Sequence, residues 1–233
     1  MTQIEKTNLW QCKLIMMDYL FFATTKKSSL VETGSFIHNY SLTYAMGLAS
    51  SSWYTKIQKP TYERDLEKIQ NIYVTPANLI RGSYNIISSR SAQNTYRIIP
   101  TGKNKYKKIK CFKPGSTFRF YIMTRNQTDN IPSCIRLGKF LAKAKLIKRC
   151  PEKINILEGN FTATPVLNWN DMSVEPNLCN VILHSISGRL IENANFTRKR
   201  YIKARFSNGD EARIPLDMGY FRKNLCSSWW NAA

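Results

Sequence analysis

His38 and His184 are the only histidines of this chain, and histidine is the side chain suited to proton transfer at neutral pH. A metal-independent ribonuclease could pair one of them with a lysine or tyrosine for general acid–base catalysis. His38 precedes Asn39 and Tyr40 at the start of a predicted helix, where a histidine more often caps the helix or bonds its backbone. We therefore expect a protein that is not an enzyme, with a ribonuclease as the alternative.

Motifs for cofactor or metal chemistry are missing from the sequence. It contains neither G-x-x-x-x-G-K-[ST] nor G-x-G-x-x-G, the glycine-rich loops that hold nucleotide phosphates. Its six cysteines stand singly, without the C-x-x-C pairs that zinc sites usually present. We expect no cofactor and no metal, and reduced, mostly buried thiols in a cytoplasmic protein.

Positive charge is concentrated in one segment of the chain. The formal net charge is +20, and residues 90–149 hold 16 Lys and Arg with a single acid, Asp129. Such a segment would repel itself unless an anion neutralised it, so a polyanionic partner is expected. Aromatic residues lie among these cations, which is typical of proteins that stack nucleic-acid bases while binding phosphates.

The candidate nucleic-acid-binding residues lie in and around this basic segment. A basic excursion is expected to contact phosphates through Arg97, Lys103, Lys105, Lys107, Lys108, Lys110 and Lys113, with Tyr106 stacking on a base or bonding a phosphate. Arg119, Arg136 and Lys139 are expected to line a groove at strand edges, and Gly138 to allow close backbone approach. His38 and Asn39 are weaker candidates for reading bases, and a capping or core role is equally expected for them.

The elements that position these residues are predicted from periodicity. The sequence predicts a strand at 10–20, helices at 36–49 and 62–73, strands at 118–123 and 135–146, and a hairpin at 200–216 that turns at Asn208-Gly209. This order indicates an α+β protein with a ferredoxin-like (RRM-like) β-α-β core. We expect a single domain over 1–233, a basic thumb-like hairpin or loop at 81–113, and a C-terminal part at 151–233.

Several blocks of the sequence resemble one known family. FFATT, which is followed by ETGSFIHNYSLTYAMGL, is similar to the N-terminus of the type I-D CRISPR-associated Csc-one family, the Cas-five subunit of that subtype's Cascade complex. The later blocks YVTPA, PGSTFRF and IRLGKFLAKAKL are similar to that family in the same order. The resemblance covers roughly residues 9–150.

The resemblance implies a non-catalytic RNA-binding subunit of Cascade. Such a subunit binds the 5′ handle of the crRNA, caps the backbone next to the large subunit, and meets target DNA indirectly through the complex. The resemblance also leaves the alternative open, because one other subtype's Cas-five relative cleaves CRISPR repeat RNA itself. A peripheral membrane protein ranks last, since the cations lie on strand- and loop-like sequence rather than on an amphipathic helix; we expect no membrane contact.

Overall fold

The computed structural model describes residues 8–49, 61–90, 106–124, 131–183, 189–216 and 218–222. The described chain is mostly β-sheet with few helices. Its strands are β1 (Asn8–Met16), β2 (Thr25–Lys27), β3 (Leu30–Glu32), β4 (Phe36–Ile37), β5 (Ile72–Val74), β6 (Ala77–Arg81), β7 (Tyr84–Arg90), β8 (Tyr106–Phe112), β9 (Thr117–Thr124), β10 (Cys134–Leu137), β11 (Ala142–Arg149), β12 (Pro151–Thr162), β13 (Leu167–Asn168), β14 (Leu178–Ile182), β15 (Leu190–Phe206) and β16 (Glu211–Pro215). Its helices are α1 (Asn39–Ala45), α2 (Tyr62–Leu66) and a 3₁₀ turn (Trp169–Asp171).

The strands form three sheets. The large sheet has the order β10-β11-β1-β9-β6-β4, with β5 also paired to β9. The small sheet has the order β2-β3-β8-β7, and its β3–β8 pair is parallel. The C-terminal sheet is built around the long strand β15, which pairs with β12, β13, β14 and β16.

The two faces of the large sheet bury different cores. On one face, Phe118, Phe120 and Leu14 pack with Leu42 of α1. On the other face, residues near one end, including Leu9 and Tyr121, pack against the C-terminal sheet. The C-terminal sheet therefore covers only part of this second face, and the rest of the face is open to solvent.

The predicted ferredoxin-like arrangement is not confirmed, because both predicted helices are much shorter than expected. Residues 36–37 pair with β6 as β4, so α1 begins only at Asn39, and Gly47 follows its end in the left-handed region (φ 72°). The second predicted helix ends at Leu66, and residues 72–74 instead pair with β9 as β5. The buried Ile-Tyr-Val sequence suits a sheet strand better than the exposed end of a helix.

The structure contains antiparallel hairpins in both segments where the sequence predicts one. The excursion at 81–113 contains the antiparallel hairpin β7–β8, although its residues 91–105 lie outside the described part of the chain. The hairpin at 200–216 is confirmed as β15–β16, where Gly209 takes the positive φ of the turn. The single strand predicted at 135–146 is a second hairpin, β10–β11. The prediction missed β12, because most of its side chains are exposed and its sequence carries no clear alternation.

The described thiols are less buried than predicted. Cys12 and Cys111 are buried. Cys134 is exposed on the solvent-facing side of β10, and Cys150 is exposed between β11 and β12. Within the described ranges, no group of three or more His, Cys, Asp or Glu side chains is placed to hold a metal ion. Over the same ranges, no helix is long and apolar enough to cross a membrane.

A buried carboxylate connects distant parts of the chain. Asp171 accepts hydrogen bonds from Asn39 Nδ2 (2.7 Å), Tyr40 OH (3.0 Å), Tyr73 OH (3.3 Å) and the backbone N–H of Phe221 (3.1 Å). These donors come from α1, β5 and the segment that follows β16. Asp171 thus links α1 and β5 to the 3₁₀ turn after β13 and to the segment after β16.

Replacement of Gly138 by Ala should destabilise the protein by about 1–3 kcal/mol. Gly138 has a φ of 68°, and a Cβ atom at this position would lie 2.5 Å from the carbonyl oxygen of Phe21. The same oxygen accepts a 2.8 Å hydrogen bond from Lys139 N–H, so it is not free to move away. Urea unfolding measures the loss, with Gly47→Ala as a control that has a similar φ (72°) but no atom within 4 Å. An equal loss in the control would show that backbone conformation, and not the Phe21 contact, sets the cost.

Candidate nucleic-acid interface

The open part of the large sheet carries a row of cationic side chains. Lys13 of β1 lies opposite Arg119 of β9 and opposite Ile147 of β11. Gln11 is opposite Arg149 in the same pairing. Because directly paired residues share one face of a sheet, these side chains all point to the same surface. We call this surface the basic face; its cations are Lys13, Arg119, Arg136, Lys143, Lys145 and Arg149.

The sequence produces the basic face by simple alternation. In β11, the run AKAKLI buries Ala142, Ala144 and Leu146 on the core side and exposes Lys143 and Lys145 on the other. This two-residue period is what an antiparallel sheet with one covered face requires. The cations are thus held on rigid strands rather than on loops.

A cleft of about 420 Å³ lies where the basic face meets the turn between β15 and β16. Its lining residues are Gln11, Cys12, Lys13, Ile80, Arg119, Ile147, Arg149, Asn208 and Asp210. Ile80 and Ile147 give the cleft an apolar surface that is 51% and 41% exposed, respectively. A cleft with cations beside exposed apolar side chains can bind a phosphate and a nucleobase together.

Asp210 fixes the geometry of the cleft. Its Oδ2 accepts hydrogen bonds from Gln11 Nε2 (2.9 Å), Arg119 NH1 (3.0 Å) and Asn208 Nδ2 (2.7 Å). Partial desolvation raises the pKa of Asp210, but the hydrogen bonds and the positive charge of Arg119 outweigh it and leave this pKa below its ordinary value. Asp210 is therefore ionised at neutral pH and partly neutralises Arg119.

The other cations of the basic face are available to an outside anion. Within the described ranges, Lys13, Arg136, Lys143, Lys145 and Arg149 form no ion pair, and all five are exposed. Surface cations that have no carboxylate partner retain their full charge for an incoming phosphate.

The predicted thumb residues are only partly described. Arg97, Lys103 and Lys105 lie outside the described residues, as do the side chains of Tyr106 and Lys107. Lys108 is exposed on β8, and Lys113 is exposed just after that strand. The ammonium of Lys110 lies 4.3 Å from the ring centre of Tyr84 on β7. Phosphate contact by these residues stays a prediction.

The three predicted groove residues do not share one position. Arg119 lies on β9, an interior strand between β1 and β6, and not at a strand edge as predicted. Arg136 lies on the edge strand β10, where its NH1 donates to the carbonyl of Leu141 (3.2 Å). Lys139 is exposed in the β10–β11 turn. The close approach predicted at Gly138 is made by the chain's own Phe21 carbonyl.

His38 and Asn39 do not reach the surface. His38 is 2% exposed and caps α1 by accepting the N–H of Tyr40 at Nδ1 (3.3 Å). Asn39 is fully buried between Asp171 and Asn168. The capping and core roles, which the sequence left equally open, are the ones observed for these two buried side chains.

Sequence reasoning missed several residues of the basic face. Lys13, Lys143, Lys145 and Arg149 were not predicted as site residues, although the alternation in β11 could have identified its two lysines. Gln11 and Asp210 are 199 residues apart in the chain, and no local pattern signals their contact.

Comparisons with family models, curated proteins and solved structures show what the chain is similar to. The family model described as type I-D CRISPR-associated protein Cas5/Csc1 matches residues 7–223. No curated protein matches the chain. Among solved structures, it is similar to a chain in the cryo-EM structure of the type III-B Cmr-beta complex bound to cognate target RNA and AMPPnP. That similarity has a TM-score of 0.47 at 8% identity and covers 81% of this chain and 86% of the other.

Proposed function

Because this chain belongs to the type I-D CRISPR-associated Cas5/Csc1 family, we propose that it is a non-catalytic RNA-binding subunit of the type I-D Cascade complex. In this proposal it binds the 5′ handle of the crRNA and caps the backbone next to the large subunit. The observation that carries the RNA-binding part is the basic face with its cleft. Exposed cations without an ion-pair partner, Lys13 and Arg149, lie beside an apolar opening there, and Asp210 pairs with Arg119.

The spacing of the cations suits a single strand of RNA. Neighbouring strands of a sheet lie about 4.8 Å apart, and alternate residues of one strand about 6.6 Å apart. Phosphates of an extended single strand repeat over a similar distance, so successive phosphates can meet Arg149, Lys13 and Lys145 on two adjacent strands. This binding would be independent of sequence, because lysine and arginine contact the phosphate backbone rather than the base edges.

The cleft adds a place for one nucleotide. Ile80 and Ile147 offer apolar surface to a base, while Lys13 and Arg149 lie beside its phosphate. Asn208 and Gln11 bring amide groups that can hydrogen-bond a base edge or the 2′-hydroxyl. The cleft would thus hold a handle nucleotide in a fixed register.

Salt dependence of binding tests the proposal. Purified full-length protein is titrated with single-stranded RNA that carries the repeat-derived 5′ handle. The logarithm of the association constant should fall linearly with the logarithm of salt concentration, with a slope near −0.7 for each phosphate contacted. RNA recovered from the complex after co-expression should share one constant 5′ end. Absence of RNA binding at about 0.05 M salt would contradict the proposal.

The alternative of an RNA-processing nuclease rested on two candidate histidines, and the structure buries one of them. His38 is buried under the start of α1, so it cannot contact a phosphodiester without a change in the fold. His184 lies outside the described residues. Incubation of repeat RNA with the protein in EDTA separates the two functions, since handle-length products that disappear in His184→Ala would favour the nuclease.

Asp210→Ala should increase the affinity for single-stranded RNA about 5- to 10-fold at 0.1 M salt, because it frees Arg119 and removes a negative charge from the cleft. Glu211→Ala is the matched control: it removes the same charge from the next residue, but Glu211 pairs with Lys203 and Arg213 instead. Filter binding measures both variants. Lower affinity in Asp210→Ala would show that the hydrogen bonds by which Asp210 orders the cleft matter more for RNA binding than its negative charge does.

A further inference from the structure

A second exposed surface lies at the other end of the large sheet. The β10–β11 turn and the segment after β1 present Phe140, Leu141, Met17 and Tyr19, with 46%, 63%, 53% and 39% of their surfaces exposed. The two segments are held together, since Met17 N–H donates to the carbonyl of Lys143 (2.9 Å) and the rings of Phe21 and Phe140 are 5.2 Å apart. We call these four residues the apolar tip.

The apolar tip contains a residue, Leu141, whose strained backbone conformation the fold of this chain does not explain. Leu141 has a φ of 51°, in the left-handed region that bulky residues rarely occupy. A glycine would suit this turn better, yet the sequence places a large apolar side chain there and leaves it mostly in water. A strained and exposed leucine contributes little to the folding of this chain, which points to a contact with another molecule.

Cations surround the apolar tip. Lys139, Lys143 and Arg136 are exposed around it, and Arg136 NH1 donates to the Leu141 carbonyl. The acid in the same segment, Asp18, is already used, because its Oδ2 accepts the backbone N–H of Lys143 (3.0 Å). An apolar centre with aromatic and methionine side chains and a charged rim is the usual anatomy of a protein–protein interface.

We propose that the apolar tip docks a protein subunit whose contact surface has an apolar pocket bordered by Asp and Glu side chains. Charge complementarity selects this occupant: the basic rim repels a second copy of this chain, which carries a net charge of +20. The centre of the tip is apolar, so few cations there would be within reach of a nucleic-acid backbone.

The apolar tip and the cleft are separate surfaces. They lie at opposite ends of β11, and the six residue steps from Lys143 to Arg149 span about 20 Å in a strand. Occupation of the cleft by RNA therefore leaves the tip free for a protein. The docking proposal concerns a different contact from the proposed RNA binding, and either can fail alone.

A double variant, Leu141→Gly with Phe140→Ser, tests the tip. Leu141→Gly removes the apolar side chain and relieves the positive φ, so this substitution should not impair folding. Ile156→Ser, at a similarly exposed apolar residue on β12, is the control variant. The full-length chain is co-expressed with the other protein subunits of its type I-D complex, and the affinity for each subunit is measured by biolayer interferometry.

The double variant should lose at least about tenfold in affinity for one subunit and keep full RNA affinity, while Ile156→Ser changes neither. Reversal of Lys139 and Lys143 to Glu should cause a similar loss of subunit affinity, and p-benzoylphenylalanine at position 140 should cross-link to a peptide rich in Asp and Glu. Unchanged subunit affinity overturns the proposal. So does a loss of RNA binding alone, a tip-dependent dimer in light scattering, or tip-dependent flotation with anionic vesicles.

Discussion

Reversal of two charges at the cleft, Lys13→Glu together with Arg149→Glu, should weaken binding of single-stranded RNA about 10²- to 10³-fold at 0.1 M salt. Each lost phosphate contact costs about 0.7 units in the logarithm of the association constant at this salt concentration, and each new carboxylate adds a comparable repulsion. Both side chains are exposed and line the cleft. The melting temperature should change little, because exposed surface substitutions usually alter stability by about 0.5 kcal/mol or less.

The matched control reverses Lys68 and Lys199, two exposed lysines away from the cleft. Lys199 lies seven residues before Phe206 on β15, which places it about 20 Å from the turn that borders the cleft. The control has the same net charge as the cleft variant, so long-range attraction falls equally in both. A similar loss of RNA affinity in both proteins would mean that total charge, and not the cleft, determines binding. Unchanged affinity in the cleft variant would move RNA binding to the small sheet and its thumb hairpin.

Asp171→Ala should lower the free energy of unfolding by about 3–5 kcal/mol, because several buried hydrogen-bond donors lose the acceptor that they share. The substitution leaves the donors of Asn39, Tyr40, Tyr73 and Phe221 N–H without their common acceptor in the core. For a domain of this size the melting temperature should fall by ~6–20 °C. Glu63→Ala, at an exposed position of α2, is the control and should change it by little.

The same carboxylate should make stability depend on pH. Burial raises the pKa of Asp171 from 3.8 to about 7, although four hydrogen bonds partly oppose the shift. The folded state therefore binds this proton more tightly than the unfolded state does. Asp171 contributes stability that is fully present below pH 3.8, its unfolded pKa, and is lost as the pH rises to about 7. The unfolding free energies of Asp171→Asn and of the wild type should differ by an amount that changes with pH between 3.8 and about 7. A difference that stays constant over this pH range would show that Asp171 does not titrate there.

The local features of this chain are readable from its sequence, because they depend on neighbouring residues. The hairpin at 200–216 is specified by two alternating runs and a glycine, and the excursion at 81–113 does contain a hairpin. The family could also be recognised from blocks such as YVTPA, and the family model extends that match to residue 223. The helices were overpredicted, because aromatic residues spaced by three or four also suit short strands once a sheet is available to pair with them.

Contacts between distant residues were decided only by the tertiary structure. The cleft brings β1 and β11 of the large sheet against a turn near residue 209, and its central carboxylate, Asp210, bonds a glutamine 199 positions away. The basic segment suggested a polyanionic partner from charge alone, yet it did not include Lys13. His38 and Asn39 are the opposite case: their residue types suit base recognition, but packing places both side chains in the core. Residue type and spacing determine local conformation and net charge, whereas solvent exposure depends on which sheet faces cover each other, and that is fixed by long-range packing.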